Sequence, residues 1–470
     1  MMNPVTEWIT AVNEQVSRFV WGPAMLFCFL AVGLWFTVGT GFFQLTQFRR
    51  WMRCTILACF RDRSVTKTSD SHSISQFQSL CTVLAATTGT GNIAGIAAAI
   101  TVGGPGAVFW MWLSSLLGMM TSYAENVLGI RYRYRNQNGE WEGGAMVYME
   151  RSLRCRWLAL LFALFCMLAS FGVGNMAQAN SIAAALQASF HIPPVLTAVA
   201  TALLLGIVVM GGIQRIARVT EKVVPFMSLF YIAGTLAVII SHIHALPAVL
   251  GTIFKEAFRL RAGLGGVAGY GMMTAMRTGI SRGVFTNEAG LGSSVIVHAA
   301  SDVKEPAVQG MWGIFEVFID TIIVCTLTAL AILTSGVYDQ SLYAGALGSA
   351  AFDLLPNGAA LTGEAFATVF GSFGGSFVSI SVTLFAFSTL IGWSYYGEKA
   401  AVYLFGKKVS APYQVLFSVI AALGCLAGLQ LVWDLSDTFN GLMAIPNLAA
   451  LCLLNRQVFS ITEEYLKNNS

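Results

Sequence analysis

Charge is scarce in this chain of 470 residues. Asp, Glu, Lys and Arg make up 11% of it, against roughly 25% in soluble domains. Hydrophobic residues make up 56%, so an ordinary soluble globule is excluded. Weakly alternating ten-residue segments do not recur, which excludes a β-barrel of the outer-membrane type. The nine cysteines (28, 54, 59, 81, 155, 166, 325, 425 and 452) include no Cys-x-x-Cys pair. They fall mostly in apolar stretches or in loops assigned below to the cytoplasm, so neither disulfides nor zinc is implied. A His-Glu-x-x-His motif, a nucleophile elbow and a phosphate-binding glycine loop are all missing, which argues against an enzyme. No basic n-region runs into an apolar core and cleavage site, so no cleaved signal peptide is expected. The net charge of +4 does not point to nucleic acid, because the basic residues sort by membrane side.

What remains is length and apolarity. A helix needs about 20 apolar residues to cross a bilayer. Eleven stretches qualify: 21–43, 77–102, 106–130, 157–188, 194–212, 223–241, 263–282, 308–334, 366–397, 412–430 and 433–455. The expectation is an all-α polytopic membrane protein, with residues 1–20 as an amphipathic surface helix. Gly103-Gly104-Pro105-Gly106 and His191-Ile192-Pro193-Pro194 separate adjoining spans, since glycine and proline break apolar runs. With the N-terminus outside, the loops 44–76, 131–156, 213–222, 282–307 and 398–411 and the tail 456–470 carry 22 Lys and Arg. The outer segments carry four, and Arg277 lies inside the seventh span. That bias predicts an N-terminus outside and a C-terminus in the cytoplasm.

The second span is unusual. Thr87-Thr88-Gly89-Thr90-Gly91-Asn92 lies within a stretch, Ser71–Ala124, that holds no charged residue. So many polar and flexible residues at membrane depth suggest a helix that opens, which is tolerated only where it is buried in protein or lines a cavity. The seventh span begins Gly263-Leu-Gly-Gly-Val-Ala-Gly-Tyr-Gly271, five glycines in nine residues. Spans two to six and seven to eleven make two blocks of five, which necessarily run in opposite directions. Interrupted segments at matching positions of two halves point to a transporter's central site; close packing of small residues is the alternative. The units expected are 1–20, the extra first span and basic loop 21–76, repeats 77–241 and 263–455, and the tail 456–470.

An opened helix offers free N–H groups at one lip and free C=O groups at the other, with matching dipoles. No Lys or Arg lies in Thr88–Asn92, so a small zwitterion suits this site better than a phosphate or dicarboxylate. Asn175 and Gln178 share a face of span four, where a buried amide bonds either a neighbouring helix or a ligand. Ser388 and Thr389 of span nine would suit a small hard cation, or would simply back-bond to their own helix. Trp393 lies about a turn further on. Glu316 and Asp320 are four apart in span eight. They argue either for proton coupling or for ion pairs with Arg277 or Arg282.

The stretch Arg282-Gly-Val-Phe-Thr-Asn-Glu-Ala-Gly-Leu-Gly-Ser293 resembles the signature of the alanine or glycine:cation symporter family. So do Thr-Thr-Gly-Thr-Gly-Asn-Ile-Ala-Gly in span two, Gly-Asn-Met-Ala-Gln-Ala-Asn-Ser in span four and Gln214-Arg-Ile-Ala-Arg-Val-Thr-Glu-Lys. The resemblance runs in order from about residue 20 to about 455. It implies a leucine-transporter-like fold, with one extra N-terminal helix ahead of a 5+5 inverted repeat. It also implies sodium-coupled uptake of alanine or glycine across the bacterial inner membrane, with sodium as coupling ion and no organic cofactor. Carried over, Thr88, Gly89, Asn92 and Gln178 would hold the substrate's polar groups, and Trp393 with Met273 or Met276 would shape its side-chain pocket. Carbonyls near Ala85 and Thr88 would meet the Ser388 and Thr389 hydroxyls around sodium. The Asn287-Glu288-Ala289-Gly290 motif would belong to an inner gate. The alternatives are a proton-coupled symporter using Glu316 and Asp320, and an amino-acid sensor on a transporter fold.

Overall fold

The computed structural model describes residues 4–68, 70–137, 139–259, 270–426 and 430–469. Helices dominate. The described residues include one short antiparallel hairpin, Tyr134–Arg135 with Trp141–Glu142. Grouped across their breaks, the helices make about eleven traversals, as expected for long apolar stretches joined by short loops.

Seven helical runs among the described residues are long and apolar enough to cross a membrane: Glu7–Gly39, Arg156–Phe190, Gly212–Ser241, Pro306–Thr334, Phe373–Phe405, Lys407–Leu426 and Asp434–Asn468. The other traversals fall short for physical reasons. The fifth, Pro194–Val209, is short. The third, Gly106–Tyr132, carries buried Ser114, Ser115, Ser122, Glu125 and Asn126. The second and seventh are broken.

The described chain starts with a helix, Pro4–Val20. Pro4–Val20 turns at Trp21 and Gly22 into Pro23–Gly39, whose proline sits where a missing N–H costs nothing. The first helix packs along Gln430–Leu442, and the Trp21 indole donates to the Asp437 carbonyl at 3.2 Å. At the other end, residues 456–468 do not form a separate tail; they continue the helix Ala444–Asn468.

The second span begins with a reciprocal cap. The Ser75 hydroxyl accepts from the Gln78 N–H at 3.1 Å, and the Gln78 side chain accepts from the Ser75 N–H at 3.0 Å. Helix Gln76–Thr87 then stops. Thr88 and Gly89 are extended, Thr90–Asn92 make one tight turn, and Ala94–Gly103 resumes. The seventh span runs as Tyr270–Asn287, loses helical order from Glu288 to Ser294, and resumes as Val295–His298. It therefore extends well beyond residue 282. The glycine cluster expected to open it lies outside the described residues from Gly263 to Gly269. The break within the described span falls instead in the signature stretch, where Glu288, Gly290 and Gly292 have φ of 55°, 93° and 78°. A left-handed backbone suits glycine and is unfavourable for glutamate.

Two further irregularities lie at the same depth. The fourth span carries a π-helical stretch, Gly172–Met176, between Arg156–Phe171 and Ala177–Phe190. The eighth carries another, Phe318–Cys325, between Pro306–Val317 and Thr326–Thr334. Such widened turns occur often at functional sites. The third span lies at the centre, packed most extensively against the seventh and eighth. Near the hairpin, Ile74 bonds Ala300 and Asp302 through backbone, at 3.1 and 2.7 Å. This ties the approach to span two to the exit from span seven.

Candidate functional site

Four irregular segments converge, and side chains take over the backbone groups that the helices release. At the first break the Gly89 N–H donates to the Asn92 side-chain oxygen at 3.0 Å. The Thr90 hydroxyl and N–H donate to the Gln178 side-chain oxygen, at 3.1 and 3.4 Å. Gln178 in turn donates to the Val173 carbonyl in the π-helical turn of span four, at 3.1 Å. The expected polar set Thr88, Gly89, Asn92 and Gln178 is thus drawn together.

Asp320 closes the other side. Its buried carboxylate accepts from Asn92 Nδ2 at 2.7 Å, from the Thr88 hydroxyl at 3.3 Å and from the Thr321 hydroxyl at 3.0 Å. Thr321 also accepts from Asn287, at the lip of the second break, at 3.2 Å. The π-helical turn of span eight therefore links the two openings. A second carboxylate braces the seventh span from behind. Glu125 accepts from the Gly290 and Gly292 N–H groups at 3.1 and 3.0 Å and from Asn447 at 2.5 Å. Released N–H groups need such partners at membrane depth.

Residues from both breaks line one cavity of ≈ 20 Å³: Ala86, Thr87, Gly89 and Gly91 of span two, Phe285, Thr286 and Glu288 of span seven, with Val173, Gln178, Thr389 and Trp393. That is room for about one water. A wider cavity of ≈ 550 Å³ shares Gly91, Val173, Gln178 and Phe285 with it, and reaches Arg282, Asp434 and Asp437.

Ser388 and Thr389 are both buried, and Thr389 lies against the break of span two. A Cβ on Gly89 would fall 2.7 Å from the Thr389 hydroxyl oxygen, and one on Gly392 would fall 2.6 Å from the Ala86 Cβ. Ala85 is fully buried in the same region. Both hydroxyls donate to the Phe385 carbonyl, at 2.8 and 3.0 Å, leaving oxygen lone pairs to accept or coordinate. Gly89 itself has φ of −121°, so its role is close approach rather than left-handed backbone. Trp393 is buried and lines the cavity.

Met273 and Met276 are not brought in. Met273 is 53% exposed, and neither lines the cavity. The helix carries on to Asn287, so Phe285 and Thr286 occupy the central depth; Met273 stands roughly 20 Å up the axis at 1.5 Å per residue. The expected arginine pairs are also replaced. Glu316 accepts from or donates to His298 Nε2 at 3.0 Å, with both groups fully buried, and Asp320 holds the contacts above. Arg277 is exposed and Arg282 faces Asp434 and Asp437 across the wider cavity. Glu288 was expected at an inner gate and instead borders the central cavity. The alternation of Gly290 and Gly292 around it was the sequence signal for that opening.

A bundle with two broken helices facing each other at mid-depth, braced by a central third span, defines a secondary transporter of the leucine-transporter fold. MhsT, solved in complex with L-phenylalanine, shares that fold with a TM-score of 0.54 at 13% identity, over 84% of this chain and 99% of its own. The sodium:alanine symporter family model matches residues 6–470, and the chain belongs to that family. Sodium/alanine symporter AgcS of Methanococcus maripaludis is 42% identical, over 98% of this chain and 97% of its own. The probable sodium/glutamine symporter GlnT of Bacillus subtilis is 35% identical, over 99% and 92%.

Proposed function

We propose that the chain carries a small neutral amino acid, alanine or glycine, into the cell together with sodium, by alternating access. The observation that carries this reading is a small cavity lined from both breaks, with Gln178 and Trp393 at its walls. A zwitterion suits opened helix ends, whose dipoles are positive at one lip and negative at the other. At ≈ 20 Å³ the cavity has room for about one water, so an amino acid of any size requires it to widen. The name borne by GlnT keeps a larger amide side chain among the cargoes to be tested.

Sodium is a hard cation that takes oxygen ligands. Among the described residues no three His, Cys, Asp or Glu side chains converge as a metal site. Oxygens from Thr88, Ser388 and Thr389, with the carbonyl of Ala85 or Thr88, are the donor set of the right chemistry. Asp320, hydrogen-bonded to Thr88, supplies the neighbouring negative charge. Biased Lys and Arg loops support an N-terminus outside, a C-terminus in the cytoplasm and residence in the bacterial inner membrane.

The buried His298–Glu316 pair favours a second reading, in which a proton replaces sodium. Proteoliposomes separate the two. Alanine uptake that follows an imposed sodium gradient supports the first reading; uptake that ignores sodium and follows a pH gradient sinks it.

A further inference from the structure

We infer that Glu288 is the counter-charge for the cargo's ammonium group, an assignment that rests on the amino-acid reading above. Four carboxylates are buried around the breaks: Glu125, Glu288, Glu316 and Asp320. A buried charge without a partner is costly, so each needs an explanation. Glu125 is turned away behind the seventh span, where it takes two backbone N–H groups and Asn447. Asp320 takes Asn92, Thr88 and Thr321. Glu316 faces His298. Glu288 alone of the four borders the cavity that Gly89, Gln178 and Trp393 line.

Its setting is built rather than accidental. The residue sits in the opened backbone at φ of 55°, a conformation that is strained for a non-glycine residue and persists only when surroundings enforce it. Ser293 donates to Oε2 from five residues on, and Trp393 lines the same cavity as this side chain. A carboxylate accepts at about four lone-pair sites, so the Ser293 donor leaves capacity for an N⁺–H group arriving from the cavity. No Lys or Arg side chain lines that cavity. An ammonium ion is therefore the partner that its chemistry admits, and a solute with a carboxylate but no amine is disfavoured by the same charge.

Calorimetric titration of the purified full chain in sodium chloride tests this with L-alanine and with propionate, which keeps the carboxylate and lacks the ammonium. Wild type is expected to bind L-alanine and not propionate. Glu288→Gln should weaken L-alanine by about thirtyfold or more, since truncating one partner of a buried charge pair has at least that effect. Trp393→Phe alters the cavity wall and keeps the charge, and should cost less than Glu288→Gln. Glu288→Gln binding L-alanine within about threefold of wild type overturns the assignment, as does a loss in Trp393→Phe equal to that in Glu288→Gln. Should Glu288→Gln not elute as a single species, Ser293→Ala carries the test. It loosens the carboxylate without removing it and should weaken L-alanine severalfold; unchanged affinity overturns the proposal. A wild type that binds no amino acid overturns the transport reading itself, which the variants then cannot rescue.

Discussion

The side-chain amide of Asn92 donates to the carboxylate of Asp320 at 2.7 Å, deep in the bundle and 228 positions away along the chain. The same amide group reaches the Asp320 carbonyl at 3.2 Å, and its oxygen accepts from the Gly89 N–H. One residue thereby closes the opened second span on itself and fastens it to the π-helical turn of span eight. Both groups are fully buried, where hydrogen bonds to a charged group contribute roughly 1.5–3 kcal/mol.

Asn92→Ala is expected to abolish uptake while the protein still reaches the membrane. Asn92→Asp should be at least as damaging, because two carboxylates this close do not both ionise. The exchange Asn92→Asp with Asp320→Asn restores one amide and one carboxylate. It should recover ligand binding about tenfold over Asn92→Asp alone. Binding by the single variants at wild-type strength would place the site elsewhere.

Gly89→Ala should lower the melting temperature of the purified protein, since the added Cβ would meet the Thr389 oxygen at 2.7 Å. Overpacking of this kind costs roughly 1–3 kcal/mol. Adding Thr389→Ala makes room and should return most of the stability, but not transport, because it also removes a hydroxyl proposed for sodium. Melting temperatures of the three variants decide between a steric and a purely conformational role for the glycine.

Met273→Ala should leave alanine affinity within about twofold, whereas Phe285→Ala should weaken it by about tenfold or more. Equilibrium titration checks both. The pair tests the register of the seventh span, which the sequence made hard to read. In the sequence the charge of Arg282 reads as a marker of water, which ends the span there. In the fold Arg282 lies across a cavity from Asp434 and Asp437, and Glu288 is buried among donors, so neither marks a loop. The first break was legible because Gly89, Gly91 and Asn92 lie in a stretch without charge. The span count and the pairing of Gln178 with the break were legible for the same reason. The partners of Glu316 and Asp320 were not, because His298 and Asn92 reach them only through tertiary packing.

Glu316→Ala should destabilise the protein by about 3–5 kcal/mol, as breaking a buried pair from one side does. Glu316→Gln keeps a hydrogen-bonding group against His298 and should cost distinctly less. Equal losses in a thermal or chaotrope unfolding series would show that the 3.0 Å contact carries little of the stability.

Transport should not owe any pH dependence between pH 5 and 8 to Asp70 in the first basic loop. Asp70 accepts from Ser73 and the His72 N–H and pairs with Arg135, and these contacts lower its carboxyl to about 2 from an ordinary 3.8. A depressed carboxyl contributes its stabilisation above pH 3.8 and loses it as pH falls through about 2. Asp70→Asn should therefore leave the shape of the uptake profile unchanged from pH 5 to 8. A shifted midpoint in that window would contradict this.

The central claim is that sodium and the amino acid meet at one pair of broken helices. Linkage then requires each to raise the other's affinity by the same factor, typically about five- to hundredfold. Calorimetric titration of alanine in sodium chloride and in choline chloride at equal ionic strength measures it directly. Tighter alanine binding in sodium is expected, with an equal gain for sodium in alanine and loss of both gains in Asn92→Ala. Equal alanine affinity in the two salts would contradict it.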